Sequence, residues 1–148
     1  MKHDGERAGA KIREGAETLY HQITNAIKVT VNPVYLEDQS YPSEAHFVWA
    51  YQVTIENLGE TTVQLRNRAW SITDATGHTQ EVRGPGVVGE QPVLQPGESF
   101  EYTSGTPLKT PSGLMVGSYE MESEEGARFD VPVPAFSLDS PHESVRLN

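Results

Sequence analysis

The stretch FVWAYQVTI, residues 47–55, carries a large apolar side chain at every second position. These residues are Phe47, Trp49, Tyr51, Val53 and Ile55. Successive side chains of a β-strand point to opposite faces, so a period of two predicts a strand with one buried face. Five alternations of aromatic and β-branched residues are incompatible with an amphipathic helix. Any fold of this chain must therefore cover one face of a sheet.

Shorter segments repeat the pattern along the chain. Residues 27–31, 63–73, 115–121 and 129–133 alternate in the same way and are separated by turn signals such as DATGH and QPGE. Within 63–73 the apolar parity changes, which predicts a β-bulge near Asn67–Ala69. Pro132 and Pro134 cannot donate to a sheet ladder, so residues 129–133 are predicted to form an edge strand.

The fold class follows from this spacing. Thirteen glycines and ten prolines suit a chain rich in turns, and no helical period separates the strands. About 7–8 short strands of this kind predict an all-β protein, an antiparallel β-sandwich of the immunoglobulin or fibronectin-III type. An open barrel has the same periodicity and stays an alternative.

The domain organisation is simple, because 148 residues suit one domain. Residues 1–25 are polar and predict a flexible N-terminal extension, with a short helix from about Glu14 to Gln22. Residues 26–138 form the predicted sandwich domain, and residues 139–148 a polar C-terminal tail.

Composition excludes several classes of function. The formal net charge of −10 repels phosphate backbones and disfavours nucleic-acid binding. The chain has no cysteine, hence no thiolate metal site and no cysteine nucleophile. No apolar run reaches the roughly 18 residues of a membrane span, and residues 1–22 lack the apolar core of a secretory signal. We expect a cytoplasmic protein that needs no cofactor and no membrane.

RGPGVVGEQP, residues 83–92, contains G-x-G-x-x-G at Gly84, Gly86 and Gly89. A dinucleotide site needs a helix after the motif, and the prolines that follow exclude it. Two interpretations remain. The loop amides, with Arg83 beside them, could form an anion nest. Alternatively, the glycines only shape a turn, with its two valines covering the edge of the core.

The anion interpretation needs further positive charge near the loop. Arg66, Arg68 and Lys109 are the candidates to join Arg83 in a basic pocket. If these four cations prove to be scattered in the fold, the interpretation loses its electrostatic basis.

Other chemistry is weakly indicated. The five histidines have no metal-site spacing, and His46 and His78 are expected in surface loops. The acidic cluster around Glu120–Asp130 lacks the order of a calcium loop, although weak Mg²⁺ or Co²⁺ binding stays an alternative. No G-x-S-x-G elbow or catalytic constellation is present, so we predict that the chain is not an enzyme.

A longer pattern carries a family resemblance. GPGVVGEQPVLQPGESFEYTSGTPLKTPSGLMVGSYEM, residues 84–121, resembles the core of the ApaG family, and FVWAYQVTIENLG and VQLRNRAWSIT resemble its first half. The resemblance implies a fibronectin-III-like sandwich and an association with cobalt tolerance and magnesium efflux. It also implies a pyrophosphate site at the glycine motif.

Two functions follow as expectations. The first is a non-enzymatic binding module that contacts an unknown protein partner, with homodimerisation through an edge strand as one form. The second is a binder of a pyrophosphate or nucleotide compound at residues 84–89, through Gly84, Gly86, Gly89 and Arg83.

Overall fold

The computed structural model describes residues 10–14 and 17–142, and within them ten strands form two antiparallel sheets. The first sheet has the order β1–β2–β3–β4–β8. Its strands are β1 (Ala10–Glu14), β2 (Glu17–Thr24), β3 (Ile27–Tyr35), β4 (Phe47–Asn57) and β8 (Ser99–Leu108).

The second sheet has the order β10–β9–β5–β6, with the two-residue β7 pairing with β5. Its strands are β5 (Val63–Asp74), β6 (Thr79–Pro85), β7 (Val93–Leu94), β9 (Ser112–Ser123) and β10 (Arg128–Asp139). Two 3₁₀ turns, Glu37–Gln39 and Pro42–Glu44, join β3 to β4. Nowhere in the described ranges is there a helix with the length and apolar character needed to span a membrane.

The predicted all-β antiparallel sandwich is confirmed. The apolar faces of the two sheets meet in one core, and the alternating residues of β4 are all buried there. Trp49 lies at its centre, and its indole Nε1 donates to the carbonyl of Asp139 at 2.8 Å. The finer assignment to the fibronectin-III type stays a prediction.

The parity change in β5 has the expected physical cause. The register between β5 and β9 shifts between Leu65 and Asn67, so Arg66 is the extra residue of a bulge. Leu65 and Trp70 are both buried despite their opposite parity. The bulge therefore exists, a residue or more before the predicted position.

The predicted edge strand at residues 129–133 is confirmed. β10 is the outer strand of the second sheet, and its register is irregular between Val133 and Phe136. Pro132 lies opposite Ser118 within this strand. A strand with a neighbour on one side only can accommodate prolines that do not donate.

The expected boundary at residue 25 differs from the structure. The flexible extension and its helix from about Glu14 to Gln22 are wrong where the structure describes them: residues 10–14 form β1, and residues 17–24 form β2. Residues 1–9 and 15–16 of the predicted extension lie outside the described ranges. Strand β2 pairs with β3 through a turn at Asn25 and Ala26. Both turn residues have positive φ, of 49° and 64°, as a two-residue hairpin requires. Tyr20 is 8% exposed and packs against Phe136. The prediction failed because the inward positions of β2 include polar residues, which hides the alternation.

The expected C-terminal tail also begins later. β10 includes Asp139, and the hydroxyl of Ser140 donates to the carbonyl of Pro111 at 2.7 Å. His142 Nε2 lies 3.2 Å from a carboxylate oxygen of Glu37. These contacts make residues 139–142 part of the folded unit, and residues 143–148 lie outside the described ranges.

Candidate functional site

The glycine motif spans the end of a strand and a tight turn. Arg83 and Gly84 belong to β6, and the chain then reverses over Val87–Glu90. We call residues 84–90 the glycine hairpin. The amide of Val87 donates to the carbonyl of Glu90 at 2.8 Å, and the amide of Glu90 donates back at 2.9 Å.

Gly84 leaves room for an arginine. A Cβ at this position would lie 3.2 Å from Nη1 of Arg68, which comes from the neighbouring strand β5. That Nη1 donates to the carbonyls of Pro85 and Gly86, each at 3.0 Å. The hairpin thus presents carbonyl oxygens to a guanidinium group, the reverse of an anion nest.

Gly86 and Gly89 are required by backbone conformation. Gly86 has φ 65°, and a Cβ there would lie 2.3 Å from the carbonyl oxygen of Glu90. Gly89 has φ 80° and open space around it. The amide of Gly86 donates to the carbonyl of Arg66 at 2.9 Å. With the amides of Gly86 and Val87 engaged and no N–H on Pro85, few donors remain for an anion.

The four expected cations do not gather around the hairpin. Arg66 pairs with Glu122 at 2.7 Å, and Lys109 lines a cleft elsewhere. Arg68 and Arg83 do share a groove of about 440 Å³ with Gly84, but Glu120 and Asp130 line it too. The side chain of Arg83 is 73% exposed and reaches Glu81 only at 3.8 Å. Within this groove, Arg83 rather than Arg68 therefore keeps its charge available.

Two carboxylates of the acidic cluster, Glu120 and Glu122, are paired with neighbouring side chains. Glu120 accepts from Asn67 Nδ2 at 2.6 Å and from Arg128 at 3.0 Å. Glu122 accepts from Arg66, and this bond, more than the charge of Arg128, lowers its pKa. Within the described ranges, no group of three or more His, Asp or Glu side chains is arranged to hold a metal ion.

Behind the hairpin lies a buried polar group of tyrosines. The hydroxyls of Tyr102 and Tyr119 are 2.5 Å apart, and Tyr51 lies close enough to act on both. Burial raises the pKa of both Tyr102 and Tyr119, so the two hydroxyls stay protonated. The charge of Arg68 acts on all three tyrosines and partly offsets this effect. Arg68 therefore links the sandwich interior to the hairpin carbonyls, a role that sequence spacing did not indicate.

The two valines of the motif have opposite environments. Val87 is 1% exposed, as expected for a residue that covers the core, but Val88 is 55% exposed, so the expectation that both cover it is wrong for Val88. Val88 also has φ 43°, and a β-branched residue at positive φ is an outlier. The sequence V-V-G could have indicated this strained position, because its second valine stands where tight hairpins favour Asn, Asp or Gly.

The two loop histidines come together at the far end of the sandwich. His46 precedes β4 and His78 precedes β6, and both are exposed. They border a cleft of about 360 Å³, which we call the histidine cleft. Its lining residues are His46, Ile72, Asp74, His78, Gln80, Pro107, Leu108 and Lys109.

Comparisons with known proteins agree on one family. The ApaG domain matches residues 37–123. The chain is 67% identical over 130 residues to Protein ApaG of Paramagnetospirillum magneticum, and 66% identical to Protein ApaG of Parvibaculum lavamentivorans. Each match covers 88% of this chain and all of the relative. A crystal structure from Bordetella pertussis is 50% identical, with a TM-score of 0.76 over 78% of this chain and 94% of that one.

Proposed function

The chain belongs to the ApaG domain family, and from this membership we propose that it is a non-enzymatic, cytoplasmic binding module. It acts through protein–protein contacts in cobalt tolerance and magnesium efflux. Its contact surface is the glycine hairpin together with the adjoining free edge of β6.

Val88 is the observation that carries this proposal. Holding a β-branched residue at positive φ costs about 1–3 kcal/mol, and the residue so held is apolar and mostly exposed. Asparagine or glycine would satisfy the turn without strain. Strain of this kind concentrates at functional sites. An exposed valine retained under strain suits an anchor that inserts into a partner.

The hairpin is also held ready for binding. The turn is closed by two backbone hydrogen bonds, and Arg68 fixes the carbonyls of Pro85 and Gly86 beneath it. A surface that is already ordered loses little conformational entropy on association. Among the residues that the structure describes, β6 pairs on one side only, with β5, so its other side offers backbone groups beside the tip to which an extended segment of a partner can add.

The pyrophosphate interpretation has one point in its favour, the exposed and loosely paired Arg83 in the groove beside Gly84. Against it stand the engaged amides of the hairpin and the carboxylates of Glu120 and Asp130 in the same groove. Protein contact is therefore the better-supported function of the two.

The test replaces Val88 with Asn and compares it with a matched variant, Val93→Asn. Val93 is equally exposed, at 54%, but lies in β7 without backbone strain. Each variant is expressed in a bacterial strain that lacks its own copy of the protein, and growth is measured with increasing Co²⁺. We expect Val88→Asn to melt no lower than the parent yet to fail to restore growth, whereas Val93→Asn restores it.

Each contrary outcome contradicts a defined part of the proposal. Full restoration by Val88→Asn removes the hairpin tip as the contact site. Failure of both variants to restore growth would show that the function depends on exposed apolar surface in general and not on the hairpin tip. Equal growth of the strain with and without the parent protein removes the role in cobalt tolerance.

A further inference from the structure

The histidine cleft lies at the other end of β6 from the glycine hairpin. It opens between the hairpin that joins β5 to β6 and the end of β8, so both sheets contribute to it. The amide of Ala75 donates to the hydroxyl of Thr110 at 3.0 Å and holds these two segments together. The cleft is therefore a defined feature of the sandwich end.

The floor of the cleft is apolar and fixed. Ile72 and Leu108 come from facing sheets, and both are buried. Leu108 packs closely on Gly113, where a Cβ would come within 2.5 Å of the leucine Cδ1. Pro107 completes the floor with a rigid ring. A floor of this kind binds a compact apolar body by excluding water from it.

The rim of the cleft is polar, and its positive charge is available. Lys109 is exposed and forms no ion pair within the part of the chain that the structure describes. His46 and His78 stand on the same rim. Lys109 is therefore the formal positive charge of the rim.

The carboxylate of the cleft, Asp74, is held by its own turn. Asp74 Oδ1 accepts from the amide of Thr76 at 2.9 Å, from its hydroxyl at 2.7 Å and from the amide of His78 at 3.0 Å. The hydrogen bond from the Thr76 side chain is the main reason that the pKa of Asp74 is lowered. These bonds fix Oδ1 toward the turn between β5 and β6.

We propose that the histidine cleft binds a small organic acid, a monocarboxylate with a compact aromatic or branched apolar body. The apolar body rests on Ile72, Pro107 and Leu108, and the carboxylate pairs with Lys109. The volume of about 360 Å³ is at the lower end of small-molecule sites, which suits a ligand of this size. This site is separate from the glycine hairpin and does not depend on the function proposed there.

The experiment is an amide NMR titration of the protein with 3-phenylpropionate at pH 7. The uncharged 3-phenylpropanamide and a tripeptide ending in Phe are titrated in parallel. Lys109→Gln removes the proposed charge partner. Lys28→Gln is the matched control, because Lys28 lies in β3 and does not line the cleft.

We expect saturable shifts confined to residues around 46, 72–80 and 107–109. Loss of a charge-assisted contact should weaken binding roughly tenfold in Lys109→Gln, with no change in Lys28→Gln. Absence of saturation at millimolar acid, equal binding of the amide, or shifts elsewhere would overturn the proposal. Binding of the tripeptide without the free acid would also overturn it and would indicate a peptide terminus as the ligand.

Discussion

Asn57 shows how much one residue can organise. Its side-chain amide donates to the carbonyls of Thr61 and Leu94, and its Oδ1 accepts from the amide of Gly59. Asn57 is the last residue of β4 and is 1% exposed. Asn57 stabilises the fold through three side-chain hydrogen bonds, one buried and two partly buried, that join the β4–β5 connection to β7.

Replacing Asn57 with Ala should therefore lower the free energy of unfolding by about 2–4 kcal/mol, because it leaves buried backbone groups unpaired. The measurement is urea unfolding, with one common slope of unfolding free energy against urea concentration fitted to all variants. Asn67→Ala is the matched control and should cost under about 1 kcal/mol, because Glu120 keeps its bond to Arg128. Similar losses in the two variants would contradict the assigned role of Asn57.

The three glycines of the motif differ in what they tolerate. Gly86→Ala should be the most destabilising, because it combines positive φ with a backbone clash at 2.3 Å. Gly89→Ala meets only the positive φ and should cost about 1–2 kcal/mol. Gly84→Ala meets the flexible end of Arg68 and should cost least. Thermal melts of the three variants give the order, and a largest loss at Gly84 would contradict it.

At the scale of the element, the glycine hairpin depends on a side chain from another strand. Arg68 crosses below Gly84 and bonds to two carbonyls of the hairpin, while its charge acts on buried tyrosines. The edge strand β6 and its turn are thereby tied to β5 by more than ladder hydrogen bonds.

Arg68→Gln should loosen this element without unfolding the sandwich. We expect faster amide hydrogen exchange at Val87 and Glu90, whose amides close the turn, and little change in β4. Arg83→Gln is the control, because Arg83 is exposed and makes one long contact. Unchanged exchange at the turn in Arg68→Gln would show that the hairpin holds without the arginine.

The outer face of the second sheet carries a charge network with a defined pH response. Arg66 lowers the pKa of Glu122 below its ordinary value of 4.5. A lowered pKa in the folded state gives stability that is present above pH 4.5 and is lost as pH falls through the folded value. Arg66→Gln should thus lower the urea midpoint at pH 7, and this loss should shrink as the pH falls below 4.5. A loss that stays the same as the pH falls would assign the effect to packing.

At the scale of the whole molecule, the first sheet extends further toward the N-terminus than composition suggested. β2 adds a strand to the side of β3, and Tyr20 closes the core against Phe136. Its hydroxyl lies 3.4 Å from the amide of Ser137 in the facing sheet. Residues 19–24 are therefore part of the sandwich.

Tyr20→Ala tests this directly. Loss of a buried aromatic side chain should cost about 3–5 kcal/mol, whereas a residue in a mobile extension would cost nothing. Tyr41→Ala is the matched control, because Tyr41 is 57% exposed and should change stability by under about 1 kcal/mol. Equal stability of Tyr20→Ala and the parent would show that residues 17–24 do not contribute to the packed core.

The sequence by itself determined the strands and their inward faces. Alternation such as that of Trp49 and Val53 can be seen in a short stretch of sequence, because the side-chain period of every strand is two. The bulge in β5 and the prolines of β10 were readable for the same reason, since each leaves its mark within a few residues. Strand β2 was not predicted, because some of its inward-facing residues are polar and hide the alternation.

Only the tertiary structure decided what the glycine motif does and which distant side chains meet. Gly84 is explained by Arg68, sixteen positions away, and Gly86 by the return of the chain at Glu90. The histidine cleft joins residues of β5 and β8 from facing sheets. Such contacts depend on strand order and sheet packing, which no local pattern encodes, because they arise only when separate strands fold against one another.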